Sequence, residues 1–233
     1  MQNTTDFTLK QIGHLERVTL GDRVYLELRQ LLMAGKLVPG EKLSLRSVAE
    51  ALGVSMMPVR EAVARLVAEG ALAVLPNRAV SVPPMSQSKL RELTRIRIEI
   101  EGYAAHEAAL TCSAPALNRI VEIDAAFRSA VLSKDGDVEL ALRLNKELHF
   151  AVYESAGSPI LTSIIESLWL KVGPVINLDL RAAQRLSTGG AERYHAALVE
   201  ALSARDGKGA RKALAGDIRS SSEFILATWQ LPE

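Results

Sequence analysis

Cysteine is almost absent from the chain. Cys112 is the only one in 233 residues, so no intrachain disulfide can form and the composition fits a reducing compartment. An excess of charge of one sign is also missing: the formal net charge is +1, and neither half of the chain is strongly basic or acidic. Any attraction to nucleic acid must therefore come from local clusters of Arg and Lys. No run approaches the roughly 18 apolar residues that a membrane span requires. The first ten residues are polar, include Asp6, and lack the apolar core of a secretion signal. A cytoplasmic chain without membrane association is the expectation. Enzyme signatures are missing too, with no HExxH, no nucleophile elbow, no paired Glu-x-x-His and no glycine-rich phosphate loop. No internal repeat or low-complexity tract is present.

What is present is helical periodicity, densest over residues 45–70. Leu45, Val48, Ala49 and Leu52 fall on one face of a short helix, which Gly53 ends by supplying a left-handed position. Ser55 is an N-cap candidate, and Pro58 sits in the first turn, where backbone donors lack helical partners anyway. A second helix buries Val59, Ala62, Val63, Leu66 and Val67, and Gly70 closes it. Two short helices joined by a Gly-centred turn match a helix-turn-helix, whose second helix enters the DNA major groove, although helical hairpins in bundles share the pattern. The following segment favours DNA. Residues 71–75 and 80–82 read as two strands around Pro76-Asn77-Arg78-Ala79, a hairpin "wing" with Arg78 near the phosphate backbone or minor groove.

The string Leu37-Val38-Pro39-Gly40-Glu41-Lys42-Leu43, the run Gly53-Val54-Ser55-Met56-Met57-Pro58-Val59-Arg60-Glu61-Ala62, and Pro76-Asn77-Arg78 together resemble the GntR family of bacterial transcription regulators, FadR branch. The resemblance covers residues 24–82 and implies a winged helix-turn-helix that binds a double-stranded DNA operator. It assigns DNA contacts to Arg46 and Arg60, and places Ser55, Met56 and Met57 at the head of the reading helix. Met56 stands where the family commonly has Arg, and Met57 where it often has Thr. A Met cannot make the two-pronged hydrogen bond to guanine that an Arg makes, but it can touch a thymine methyl. On its own, either Arg46 or Arg60 would read as part of a solvated helix face.

Elsewhere the pattern is also helical. Val24, Leu28, Leu31 and Leu32 form one stripe over residues 20–34, preceded by a loose arm over residues 1–17. Pro83-Pro84 separates a winged helix-turn-helix domain, residues 18–84, from an all-helical domain, residues 85–233. Leu90, Leu93, Arg97, Ile100, Ala104 and Ala108 line one long helix, and Leu117, Val121 and Asp124 a second. A third spans residues 138–156 and ends at Gly157-Ser158-Pro159. A fourth spans 160–180, interrupted near Gly173-Pro174, where a kink is expected. The last two span residues 191–204 and 208–228 around Arg205-Asp206-Gly207. The fold class is mainly α: a small β wing on the first domain, and an antiparallel bundle of about six helices in the second.

Asn145 and His149, four residues apart, share a helix face. His195 and Asp217 lie equidistant from Asp206, so a hairpin turn there sets them at matching heights on facing helices. Asn145, His149, His195 and Asp217 can thus point at one spot, and imidazoles with oxygen donors suit a divalent transition metal such as zinc, nickel or manganese. Buried helical histidines are more often simply hydrogen-bonded core residues. This half is similar to the FadR-branch effector domain, the FCD type and VanR-like in helix count, through residues 97–101, 145–149, 157–159 and 195–217. That resemblance implies a metal held by Asp and three His, a small carboxylate effector and a homodimer. The chain departs twice, with Asn145 in place of the Asp and Asp217 in place of the last His, so the carboxylate has moved rather than vanished. Arg97 and Glu101, four apart, read either as an ion pair or as a ligand-binding pair in which Arg97 forks a carboxylate. Lys171, Tyr194 and Asn177 are further candidates for the pocket, but nothing in the sequence singles them out. Three functions stay open: a ligand-responsive repressor, a metal-dependent enzyme acting on a small organic acid with the first domain as a tether, and a structural bundle that binds nothing.

Overall fold

The computed structural model describes residues 19–132, 137–181 and 190–233, with side chains throughout except at 132 and 177–181. The arm expected over residues 1–17 and the side chain of Asn177 lie outside it. Helix α1, Leu20–Met33, begins at a capping box: the Thr19 hydroxyl accepts from the Asp22 amide at 3.1 Å, and the Asp22 carboxylate accepts from the Thr19 amide. Its buried stripe is Val24, Leu28 and Leu32, while Leu31 faces outward.

Strand β1, Lys42–Leu43, leads into α2, Leu45–Leu52, capped by Ser44 and ended by Gly53 at φ 64°. Helix α3, Met56–Ala68, follows the turn, then β2, Ala73–Val74, and β3, Val80–Ser81. The expected two-stranded wing has a third strand. The sheet order is β1-β3-β2, all antiparallel, with Val80 opposite both Leu43 and Val74. Two residues are too short a run for period-2 alternation to show in a sequence, so β1 goes unmarked there.

Six helices make up the second half among the described residues: α4, Gln87–Thr111; α5, Ala114–Leu132; α6, Val138–Ser155; α7, Pro159–Arg181; α8, Gly190–Ser203; and α9, Gly207–Thr228. Helix α9 packs along α4 and α8, and α5 along α6. The α8–α9 turn holds Arg205 at φ 56°, and the Asp206 carboxylate caps α9 by accepting from the Gly209 amide at 2.9 Å. On α5 the expected stripe is partly displaced: Asp124 is buried and ion-paired with Arg128 at 3.1 Å, whereas Val121 faces out.

Helix α7 differs from expectation in two ways. It runs through Gly173-Pro174 without interruption. Gly173 is needed for a close approach, because a Cβ there would meet the Leu32 carbonyl oxygen at 2.5 Å and Met33 Cα at 2.8 Å, at the end of α1. The window Pro159–Ile176 is also long and apolar enough to cross a membrane by composition, with mean hydropathy 1.3, contrary to the expectation that no stretch comes close. In the fold this helix is a core element. Ile165, Trp169, Leu170, Val172 and Val175 are buried in the bundle, and Glu166 pairs with Arg29 of α1 at 2.8 Å. The two halves share one buried apolar cluster running from Leu28 and Leu32 to Trp169 and Leu170. Lys146 on α6 donates to Gln30 on α1, and Lys36 pairs with Glu139.

Candidate functional site

Three helices place three donors together. His149 from α6, His195 from α8 and Asp217 from α9 are buried, and their ligand atoms all lie within 4.8 Å of one another. The α8–α9 hairpin does what the equal spacing requires, and α6 supplies the second imidazole. His149 Nε2 faces Asp217 Oδ2 at 3.2 Å. His195 has no solvent exposure, and neither of its ring nitrogens has a hydrogen-bond partner among the described residues. Its ring packs on Phe127 at a centroid distance of 4.7 Å. Burial pushes its pKa down to about 4, against the pull of Asp217, and His149 adds to the lowering.

A buried network behind His149 selects the tautomer of its neutral ring. Glu101 is fully buried and accepts Arg97 Nε at 2.5 Å, Arg97 Nη2 at 3.0 Å, Trp169 Nε1 at 3.2 Å and the Tyr153 hydroxyl. Burial and then the Glu101 charge hold the Tyr153 pKa well above its usual value, so its proton stays in place. The Tyr153 oxygen, 2.9 Å from His149 Nδ1, can then only accept, which puts the imidazole proton on Nδ1. In a neutral His149 the Nε2 lone pair consequently faces the Asp217 carboxylate. Two acceptors at that distance repel unless a cation, either a proton or a metal ion, lies between or beside them. The unsatisfied nitrogens of His195 meet the same need from the other side. A divalent metal fits this donor set, and Tyr153 and Glu101 are the outer partners that orient such a ligand.

A small cavity opens beside these donors, lined by Arg97, Asn145, His149, Ile176, Asp217 and Ser221. At about 10 Å³ it holds roughly one water molecule. Asn145, expected as a ligand, thus reaches the same cavity as His149 and Asp217. Glu101 does not line it. The expected ligand-binding pair is instead a buried ion pair, in which Arg97 alone borders the cavity. Lys171 bonds the Ser167 carbonyl and Tyr194 accepts from Arg193, and neither lines the cavity. Larger clefts of about 760 Å³ between α4 and α9 and about 700 Å³ between α1 and α6 do not touch either histidine. Sequence reasoning missed Tyr153, Trp169 and Ser221. Tyr153, four residues after His149 on its helix face, carried the one usable signal.

The second candidate surface is α3. Its buried side is Pro58, Val59, Ala62, Val63 and Leu66. Met56 is half-buried against the core, whereas Met57 is 65% exposed and Arg60 is exposed. Among the described residues Arg60 has no ion-pair partner. Ser55 occupies the N-cap position without a side-chain cap bond, which leaves its hydroxyl free for another acceptor or donor. Arg46 is exposed and paired with Glu50 at 2.9 Å. Arg78 sits at the wing tip at φ 62°, in a turn where the Asn77 side chain accepts from the Ala79 amide.

Two families match the chain: "Bacterial regulatory proteins, gntR family" over residues 20–82 and "FCD domain" over residues 92–220. The chain is 35% identical to the HTH-type transcriptional regulator McbR of Escherichia coli over 204 residues, 87% of this chain and 91% of that protein. It is 25% identical to the E. coli HTH-type transcriptional repressor RspR over 208 residues, 88% and 89% of the two chains. The solved structure of E. coli McbR/YncC superposes with a TM-score of 0.84 at 31% identity, covering 92% of this chain and all of that one. A putative GntR regulator from Rhodococcus sp. RHA1 shares the fold at a TM-score of 0.72 and 22% identity, with 90% and 99% covered.

Proposed function

The chain belongs to the GntR family of bacterial regulatory proteins and carries an FCD domain, so it is a DNA-binding transcription regulator, and we propose that it is a metal-dependent sensor of a small carboxylate. Residues 18–84 bind the operator and residues 85–233 bind the effector. A cytoplasmic homodimer presents two α3 helices to a two-fold operator. Arg60 reads a base, Arg46, Ser55 and Arg78 hold the backbone, and Met57 with Met56 shapes the head of the reading helix. The mode of control is repression relieved by effector, in keeping with the naming of the relative RspR as a repressor.

His149, His195 and Asp217, with Asn145 lining the same cavity, would hold a divalent metal such as zinc, nickel or manganese. A bound metal would supply a Lewis-acidic partner for a carboxylate, and Arg97 and Ser221 border the space that the carboxylate would enter. The observation that carries this reading is His195, a buried imidazole with both nitrogens unsatisfied beside a carboxylate and a second imidazole. Because the cavity holds little more than one water, a carboxylate must widen it by shifting α6 or α9. Helix α6 also carries Lys146, which is bonded to α1, and α1 packs on α3, so such a shift reaches the reading helix.

The test is a melting-temperature screen of metal-stripped protein. Zinc, nickel or manganese should raise the melting temperature, and a panel of small carboxylates should raise it further only in the metal-loaded form. No shift with any of the three metals would contradict the metal. Carboxylate shifts that need no metal would leave Arg97 as the anchor and remove the metal from the account.

A further inference from the structure

The open face of α3 presents an unusual set of groups. Glu61 is drawn toward the start of α1, where a Cβ on Gly21 would meet its carboxylate at 2.6 Å. Arg65 is paired with Asp22 at 2.6 Å and lies over the Tyr25 ring. What remains facing outward from the helix is Met57, Arg60 and Ala64, one cation with two apolar groups and no amide, with the Ser55 hydroxyl exposed at the N-cap. The two adjacent methionines are not equivalent. Met56 turns into the core, whereas Met57, at 65% exposure, projects from the same face as Arg60 three residues on.

The N-terminal residues of a reading helix are the ones that reach base edges. A thioether side chain offers no useful hydrogen bond there, but it is long, unbranched and polarizable, and adapts to an apolar surface. The one apolar group that distinguishes a base pair in the major groove is the 5-methyl of thymine. Three helical residues advance about 4.5 Å along the axis, close to one base-pair step. We propose that Met57 is a specificity-determining residue that reads the 5-methyl group of a thymine one or two base pairs from the base read by Arg60. This rests on the DNA-binding reading of α3 and refines it.

The test starts from duplexes selected by the full-length chain from a randomised pool. Each thymine of the tightest duplex is then replaced in turn by deoxyuridine, which lacks only the methyl, and the dissociation constant is measured at fixed salt. One position per half-site should weaken wild-type binding about fourfold, the loss expected for one methyl left unburied. In Met57→Ala that position should become insensitive, while the other thymines respond as before. Position 57 is exposed and Ala is a good helix former, so a melting curve matching wild type is expected. Wild-type binding indifferent to every thymine methyl overturns the inference and leaves DNA binding intact. So does a Met57→Ala protein that keeps the same sensitivity, which would mean that Met57 touches sugar, phosphate or another protein instead. A chain that selects no duplex overturns the α3 reading and the inference with it.

Discussion

His149 Nε2 and Asp217 Oδ2 face each other at 3.2 Å, while the other nitrogen of the same ring is held by Tyr153. A neutral imidazole therefore turns an acceptor toward an acceptor, a contact that a proton or a metal ion between them would relieve. Tyr153→Phe tests this arrangement. The substitution leaves the three donors in place but removes the group that fixes the His149 tautomer. Metal affinity, read by competition with a chromogenic chelator, should fall about 10–100-fold. Operator affinity of the metal-free protein should stay as in wild type. An unchanged metal affinity would show that the Tyr153 hydroxyl does not orient a ligand.

Stability of the metal-free protein should depend on pH through His195. Its folded pKa is about 4 against 6.5 for the ordinary group, so between those values the unfolded chain binds more protons. The contribution is complete above about pH 6.5 and is lost as the pH falls toward 4, on the order of 3 kcal/mol across the window. Urea denaturation at several pH values, wild type beside His195→Gln, reads it directly. The variant should have the flatter profile, and parallel profiles would contradict the burial argument.

Arg60→Ala should weaken binding to a selected duplex by about 1–3 kcal/mol and relax preference at one position per half-site. Arg78→Ala should weaken all sequences alike and lower the salt slope by about one. Loss of preference with Arg78→Ala, or none with Arg60→Ala, would exchange their roles.

Communication between the halves should run through α1. Arg29→Ala with Lys146→Ala removes the α1 contacts to Glu166 and Gln30. Both metal uptake and operator binding should survive in that variant. The coupling between them, typically about 1–3 kcal/mol in such systems, should shrink. Operator release by metal and carboxylate as complete as in wild type would place the coupling elsewhere.

Much of this architecture is legible in the sequence because its signals are local. Apolar spacing marks α1 to α4, Gly53 marks the turn, and the symmetry of His195 and Asp217 about Asp206 places two donors at one height. Long-range packing is not legible in this way. Strand β1 pairs with a strand some forty residues later, Gly173 exists for the end of α1, and the apolar surplus of α7 is spent on the bundle. The Met56 and Met57 pair shows the limit most clearly. Both precede Pro58 in the same turn, and only the helix phase set by Val59 and Ala62 against the core decides which one faces out. The Glu101 network is opaque for a related reason. Trp169 and Tyr153 reach it from other helices, and without them the Arg97–Glu101 spacing fits a ligand fork as well as an ion pair.

The most direct test of the metal-dependent account is elemental analysis of protein purified without a metal-affinity tag, beside His149→Ala/His195→Ala. Near one zinc, nickel or manganese per chain in the wild type, and none in the double variant, is the predicted result. A metal-free wild type that takes up none of the three when they are added would contradict it, and the buried histidines would then belong to the core alone.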